Sequence, residues 1–222
     1  MATSATASTG NPTNESPLDV RVSTLPEQVP FTARVADPGP LGLACFALTT
    51  FVLSCFNAGL FPATVKPVVF GLALFYGGAV QVLAGLVEYV KGNTFGGTAF
   101  CSYGAFWMAF WYLSTHLSLM EKAQKGDIGR GVGLFLLGWT IFTAYMFVTS
   151  FRTSGALVIT FAFLTAAFIA LTIGDLNEMA GATKLGGWLG IITAFLAWYA
   201  SFAGVMNATA GRVVLPVMPM KK

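Results

Sequence analysis

The sequence predicts an all-α membrane protein in which six transmembrane helices surround a central pathway. Three observations carry that expectation. Of 222 residues, 55% are hydrophobic and only 9% are charged, against about 25% charged in soluble domains. Mean hydropathy is +0.72. From Leu41 onward, apolar stretches alternate with short polar breaks, and the stretches approach the roughly 20 residues that a bilayer-spanning helix needs. In lipid a spanning backbone must satisfy its own hydrogen bonds, and segments of this length and apolarity suit helices rather than barrel strands.

Along the chain, residues 1–36 come first and are rich in Thr, Ser, Pro and Asn. They hold too little apolar surface to offset the entropy of ordering, so a disordered N-terminal tail is expected. The segment lacks the basic start and apolar core of a signal peptide. A membrane domain is expected over 37–210, with spans near 41–60, 67–90, 98–119, 131–151, 154–174 and 186–208, followed by a short C-terminal tail over 211–222. The breaks hold Phe61–Pro62, Lys91–Gly92–Asn93, the charged run Glu121 to Arg130, Arg152–Thr153–Ser154 and Gly174 to Leu185. The fourth and fifth spans are nearly continuous across Arg152. Joining them would make a single helix of about 40 residues, twice a bilayer span, so six spans are preferred.

An even span count places both termini on one side. That side carries seven Lys or Arg (Arg21, Arg34, Lys91, Arg152, Arg212, Lys221 and Lys222), against five on the other (Lys66, Lys122, Lys125, Arg130 and Lys184). The positive-inside rule then favours cytoplasmic termini, in an integral protein of the plasma membrane. A net charge of +3 is too small and dispersed for nucleic-acid binding.

The spans are not uniformly aliphatic. Gly77, Gln81, Gly85 and Glu88 form one stripe of the second span, and Phe46, Thr50, Leu53 and Asn57 one stripe of the first. The third presents Tyr103, Trp107, Phe110 or Trp111, and Ser114. The fifth presents Thr160, Leu164, Ala167 and Leu171 and ends at Asp175, and the sixth Thr193, Ala197, Ala200, Gly204 and Asn207. Small and polar residues at this spacing serve close helix packing or line a partly wet interior, and periodicity alone does not choose between them.

Glu88 is the one acid clearly inside an apolar run. Intramembrane ionisable groups usually face the bundle interior or a cavity, whereas Lys91 nearby also permits a plain interfacial pair. His116 is the sole histidine; its ordinary pKa near 6.5 suits a pH-sensitive vestibule or simply an interfacial site. Both are candidate proton-linked groups. Cys45, Cys55 and Cys101 make no CxxC pair and read as small packing residues. The chain has no HExxH, GxSxG or phosphate-binding glycine fingerprint, so neither an enzyme active site nor a cofactor or metal site is expected.

The segment Asp37–Pro38–Gly39–Pro40–Leu41–Gly42–Leu43 resembles the opening signature of the acetate uptake transporter family, which includes the succinate–acetate permeases. The resemblance continues through Phe75–Tyr76–Gly77–Gly78 with Gln81 downstream, Ala84–Gly85–Leu86–Val87–Glu88–Tyr89, Lys91–Gly92–Asn93–Thr94–Phe95–Gly96 and Ser102–Tyr103–Gly104–Ala105–Phe106–Trp107. Near the end, Gly187–Trp188–Leu189–Gly190 and Gly211–Arg212–Val213–Val214–Leu215–Pro216 also match. The resemblance implies a six-helix protomer, one pathway per protomer in a homohexamer, and acetate, succinate or other short monocarboxylates as partners. It implies a constriction of Phe46, Tyr103 and Leu164, with Ala197 influencing substrate size. Two positions depart from the family pattern: Asp37 replaces the usual Asn, and Gly204 stands where some relatives carry an acid.

On this reading, an acetate anion sheds hydration to pass an apolar neck, so polar partners must flank it. Thr49, Thr50, Asn57 and Gln81 are the expected pathway donors, and the Tyr103 hydroxyl is a candidate donor at the neck itself. Passive anion flow and proton symport both fit. The alternatives are a channel for another small solute such as ammonia, or a non-transporting membrane scaffold or sensor.

Overall fold

The computed structural model describes residues 35–117 and 123–220. The expected tail lies outside the described residues save Val35 and Ala36, as do Arg21, Arg34, Lys122, Lys221 and Lys222. From Ala36 the chain forms one compact unit, which holds six helices among the described residues. They are α1 (Gly39–Asn57), a composite α2 (Ala63–Val90), α3 (Thr94–Thr115), α4 (Lys125–Ser150), α5 (Gly155–Leu176) and α6 (Ala180–Ala210). Five of the six, all but α3, are long and apolar enough to cross a membrane. Helix α3 has the length but carries Thr, Gly, Ser and Tyr through its middle.

Helix α2 departs from the simple helix that the sequence suggests. A 3₁₀ turn at Ala63–Val65 leads into α-helical Val68–Gly71, π-helical Leu72–Val80 and α-helical Gln81–Val90. The π stretch ends just before Gln81, and such widened turns often mark functional positions. Gly77, Gln81, Gly85 and Glu88 are nonetheless all buried, so the stripe keeps its inward face.

Helix ends follow local chemistry. The Asn93 side chain accepts from the Gly96 amide at 3.1 Å, which starts α3 four residues before the apolar run. Ser154 caps α5 by accepting from Leu157 at 3.4 Å, so the Arg152–Thr153–Ser154 break is real and α4 and α5 are separate helices. Gly211, with φ of 64°, closes α6 in the left-handed conformation that glycine adopts without strain.

Helix α6 packs on α1 and α5, α4 packs on α5, and α2 lies against α3 and α1. At Gly85 an added Cβ would stand 2.6 Å from the Cys101 amide nitrogen, and at Gly187 it would run into the Asn57–Ala58 backbone. Only glycine allows α2 to meet α3, and α6 to meet α1, that closely. The segment after α6 is not a free tail. Asn207 accepts from the Val214 and Leu215 amides and donates to the Leu215 carbonyl, while Gly155 and Ala156 donate to Met218 and Val217. The C-terminal segment thereby satisfies amides that the start of α5 would leave orphaned.

Candidate functional site

Inside the bundle lie two cavities of about 280 and 270 Å³ that share two lining residues, Phe46 and Leu164. The first is bounded by Asp37, Glu88, Asn93, Ser154 and Val217. These belong to the segment before α1, the last turn of α2, the α2–α3 and α4–α5 connections and the C-terminal segment. The second is bounded by Asn57, Lys66, Ile128, Asp175 and Thr183, around the opposite connections. Each cavity therefore belongs to one end of the bundle, and the two adjoin where they share Phe46 and Leu164.

Phe46, Tyr103 and Leu164 are brought together there. They are 6%, 2% and 5% exposed, and the rings of Phe46 and Tyr103 lie 5.6 Å apart at an interplanar angle of 54°. Tyr103 lines the first cavity and also packs on Phe142 and Phe161, with centroids at 5.3 and 6.2 Å. Its hydroxyl does not serve the neck. It donates to the Thr143 hydroxyl of α4 at 2.9 Å, so Tyr103 presents its ring and keeps its polar end in protein.

The other expected pathway residues divide. Gln81 lines the first cavity, fully buried, and neither its amide nitrogen nor its oxygen has a hydrogen-bond partner. Thr50 and Asn57 line the second. Thr49 lines neither cavity: its hydroxyl donates to the Cys45 carbonyl at 2.9 Å and its side chain packs on Gly77 of α2. Standing one residue before Thr50, it is turned by about 100° from that stripe, toward α2 and away from the cavities. Ala197 is fully buried in the same core cluster as the neck residues but lines neither cavity.

The charged groups differ between ends. Glu88, 3% exposed, faces the first cavity and accepts from the Asn93 amide nitrogen at 2.8 Å. Asp37 accepts from the Gly39 amide at 3.2 Å and pairs with Lys91 at 3.6 Å. Asp thus makes the local backbone contact that the usual Asn would make, and adds an ion pair. In the second cavity Lys66 reaches the Asn57 side-chain oxygen at 3.5 Å and shares the lining with Asp175. His116 stands apart from both cavities, stacked on Tyr112 at 4.2 Å with Nδ1 near the Tyr112 carbonyl. Among the described residues no three His, Cys, Asp or Glu side chains cluster as metal ligands would.

The sequence reading left Lys66, Asp175 and Asn93 outside the pathway. Lys66 and Asn93 lie in connections, where periodicity gives no direction. Asp175 carried a signal, since it ends the Thr160–Leu164–Leu171 stripe. Trp107 lay on its stripe four residues after Tyr103, but its chemistry was hidden by its aromatic neighbours.

Residues 22–222 match the model of the GPR1/FUN34/yaaH family. The chain belongs to that family. It is 38% identical over 186 residues to a protein of Escherichia coli named succinate-acetate/proton symporter SatP, covering 83% of this chain and 96% of that protein. It is 43% identical over 180 residues to ammonia transport outward protein 2 of Saccharomyces cerevisiae, covering 78% of this chain and 62% of the yeast protein. A solved structure of the bacterial acetate channel SatP superimposes with a TM-score of 0.76 at 37% identity, over 82% of this chain and 99% of that one. With its apolar helices and these relatives, this family member is an integral membrane protein.

Proposed function

We propose that this family member carries acetate and other short carboxylates, including succinate, across a membrane, each protomer holding its own path between the two cavities. The observation that carries this reading is the pair of cavities that meet at Phe46 and Leu164. A carboxylate leaves water in a polar vestibule, meets Gln81 on one side of the neck and Thr50 on the other, and passes only the short apolar gap between them. Full dehydration of the charge is never required, because a bare carboxylate in an apolar medium is very costly. The apolar neck meanwhile accepts the methyl end. The protein acts as a transporter or channel and not as an enzyme.

The same reading gives a homohexamer in the plasma membrane with cytoplasmic termini, as the family resemblance and the charge asymmetry imply. Glu88 is the proton-linked group, because it faces the first cavity while His116 faces neither. The test is radiolabelled acetate uptake into proteoliposomes of the full chain at two pH values. Uptake well above empty vesicles is expected, and impermeable vesicles would overturn the proposal. Replacing Glu88 with Gln is expected to flatten the pH dependence at unchanged assembly; an unaltered profile removes Glu88 from proton coupling. The name of the yeast relative favours a second reading, ammonia as the solute, and excess methylammonium suppressing acetate uptake would support it.

A further inference from the structure

We propose that Trp107 and Thr50 form a carboxylate-binding subsite in the second cavity, one helical turn beyond the neck. This rests on the transport reading above and states where the charged end of the substrate is held.

Two residues that line the second cavity each hold a buried polar atom with no hydrogen-bond partner, the Thr50 hydroxyl and the Trp107 indole nitrogen. Thr50 is 7% exposed and Trp107 2% exposed, so bulk solvent does not serve them, and a buried unsatisfied donor is costly. Thr50 is the exception among its kind. The buried Thr49, Thr160 and Thr193 each donate to the carbonyl four residues back, and Thr143 and Thr172 each share a hydroxyl bond.

The two orphans are related by the same offset from the neck. Thr50 follows Phe46 by four residues on α1, and Trp107 follows Tyr103 by four on α3, while Phe46 and Tyr103 touch. Both therefore sit about 6 Å beyond the neck, on the same face of their helices. An indole N–H donates and cannot accept, so the missing partner must offer lone pairs. The Thr50 hydroxyl on the same cavity wall can donate to the same group. Two donors on the wall of one cavity that Phe46 and Leu164 also line fit a carboxylate whose alkyl end points at those two residues. Gln81, across the neck, offers both donor and acceptor and makes no such choice.

The probe is sodium acetate, with propionate beside it, on the full chain in proteoliposomes. Trp107→Phe keeps an aromatic ring without the N–H, and Thr50→Val replaces the hydroxyl by a methyl. Each is expected to raise the half-saturating concentration about tenfold, the effect of losing one hydrogen bond to a charged group, and by the same factor for both acids. Thr50→Ser retains the hydroxyl and is expected to restore the wild-type value. Acetate binding in detergent, read by titration calorimetry, is expected to weaken in parallel. Unchanged half-saturation in Thr50→Val and Trp107→Phe overturns the subsite, as does a shift that differs between acetate and propionate, since that marks reshaping of the neck. Were the wild-type vesicles impermeable while calorimetry still showed binding lost in Trp107→Phe, the transport reading would fall and the subsite would stand.

Discussion

At the residue scale the proposed neck presents surfaces and not polar atoms. Because the Tyr103 hydroxyl is held by Thr143 on α4, Tyr103→Phe is expected to leave acetate flux within about twofold. It should cost about 1 kcal/mol of stability, as single interhelical hydrogen bonds do. Thermal unfolding in detergent paired with vesicle flux checks both halves, and a collapse of flux with unchanged stability would return the hydroxyl to the path. Leu164 behaves oppositely. Leu164→Val removes one methylene at the shared boundary of the two cavities, where a methylene is worth about tenfold in discrimination. The ratio of propionate or lactate flux to acetate flux is therefore expected to rise on that order, measured by competing labels in one vesicle batch. That Phe46, Tyr103 and Leu164 turn inward together was legible in the sequence, since each lies on an inward stripe and two carry a family motif. The direction of the Tyr103 hydroxyl was not, because its partner stands 40 residues away. Nor was the orientation of Thr49, where helical phase alone separates a cavity-facing threonine from a packing one.

At the element scale, composition placed the helices and local capping set their ends. The α4–α5 break was readable from length, since a joined helix would run to about twice a bilayer span, whereas the π stretch of α2 left no pattern in a run of apolar and glycine residues. The fold of the C-terminal segment was equally hidden. Its order comes from Asn207, whose side chain bonds the Val214 and Leu215 backbones, and from the amides at the start of α5. Asn207→Ala removes three hydrogen bonds and leaves two backbone amides to find water. Release of the segment by trypsin at Arg212, an exposed residue, is expected to quicken by about tenfold, matching roughly 1.4 kcal/mol of lost local stability. Because Asn207 and Val217 both line the first cavity, the variant also widens that mouth. Equal trypsin rates for the two proteins would show that the segment is held by its α5 contacts alone.

At the scale of the whole molecule, the question is where the path runs relative to neighbouring copies. Helix α1 is half buried in its own protomer, while α4 is only 22% buried. Helix α4 therefore faces outward with Leu134, Ile141, Tyr145 and Val148 exposed, and α2 does so with Phe75 and Leu83. An isolated soluble chain would not expose so large an apolar belt; here it meets lipid and, in the proposed hexamer, adjoining protomers. The neck residues, in contrast, come from α1, α3 and α5 of one chain. Mixing wild-type chains with a blocked Leu164→Trp chain before assembly separates a path in every protomer from one shared at a ring axis. With independent paths, acetate flux falls linearly with the blocked fraction, so an equal mixture retains about half. A path shared by six chains and stopped by any single block would retain almost nothing at that ratio, since nearly every ring would hold a blocked copy. Flux plotted against the mixing ratio, with co-assembly verified by a tag on the blocked chain alone, decides the matter; a steep curve would place the conducting route between protomers and leave the cavities of each as binding pockets.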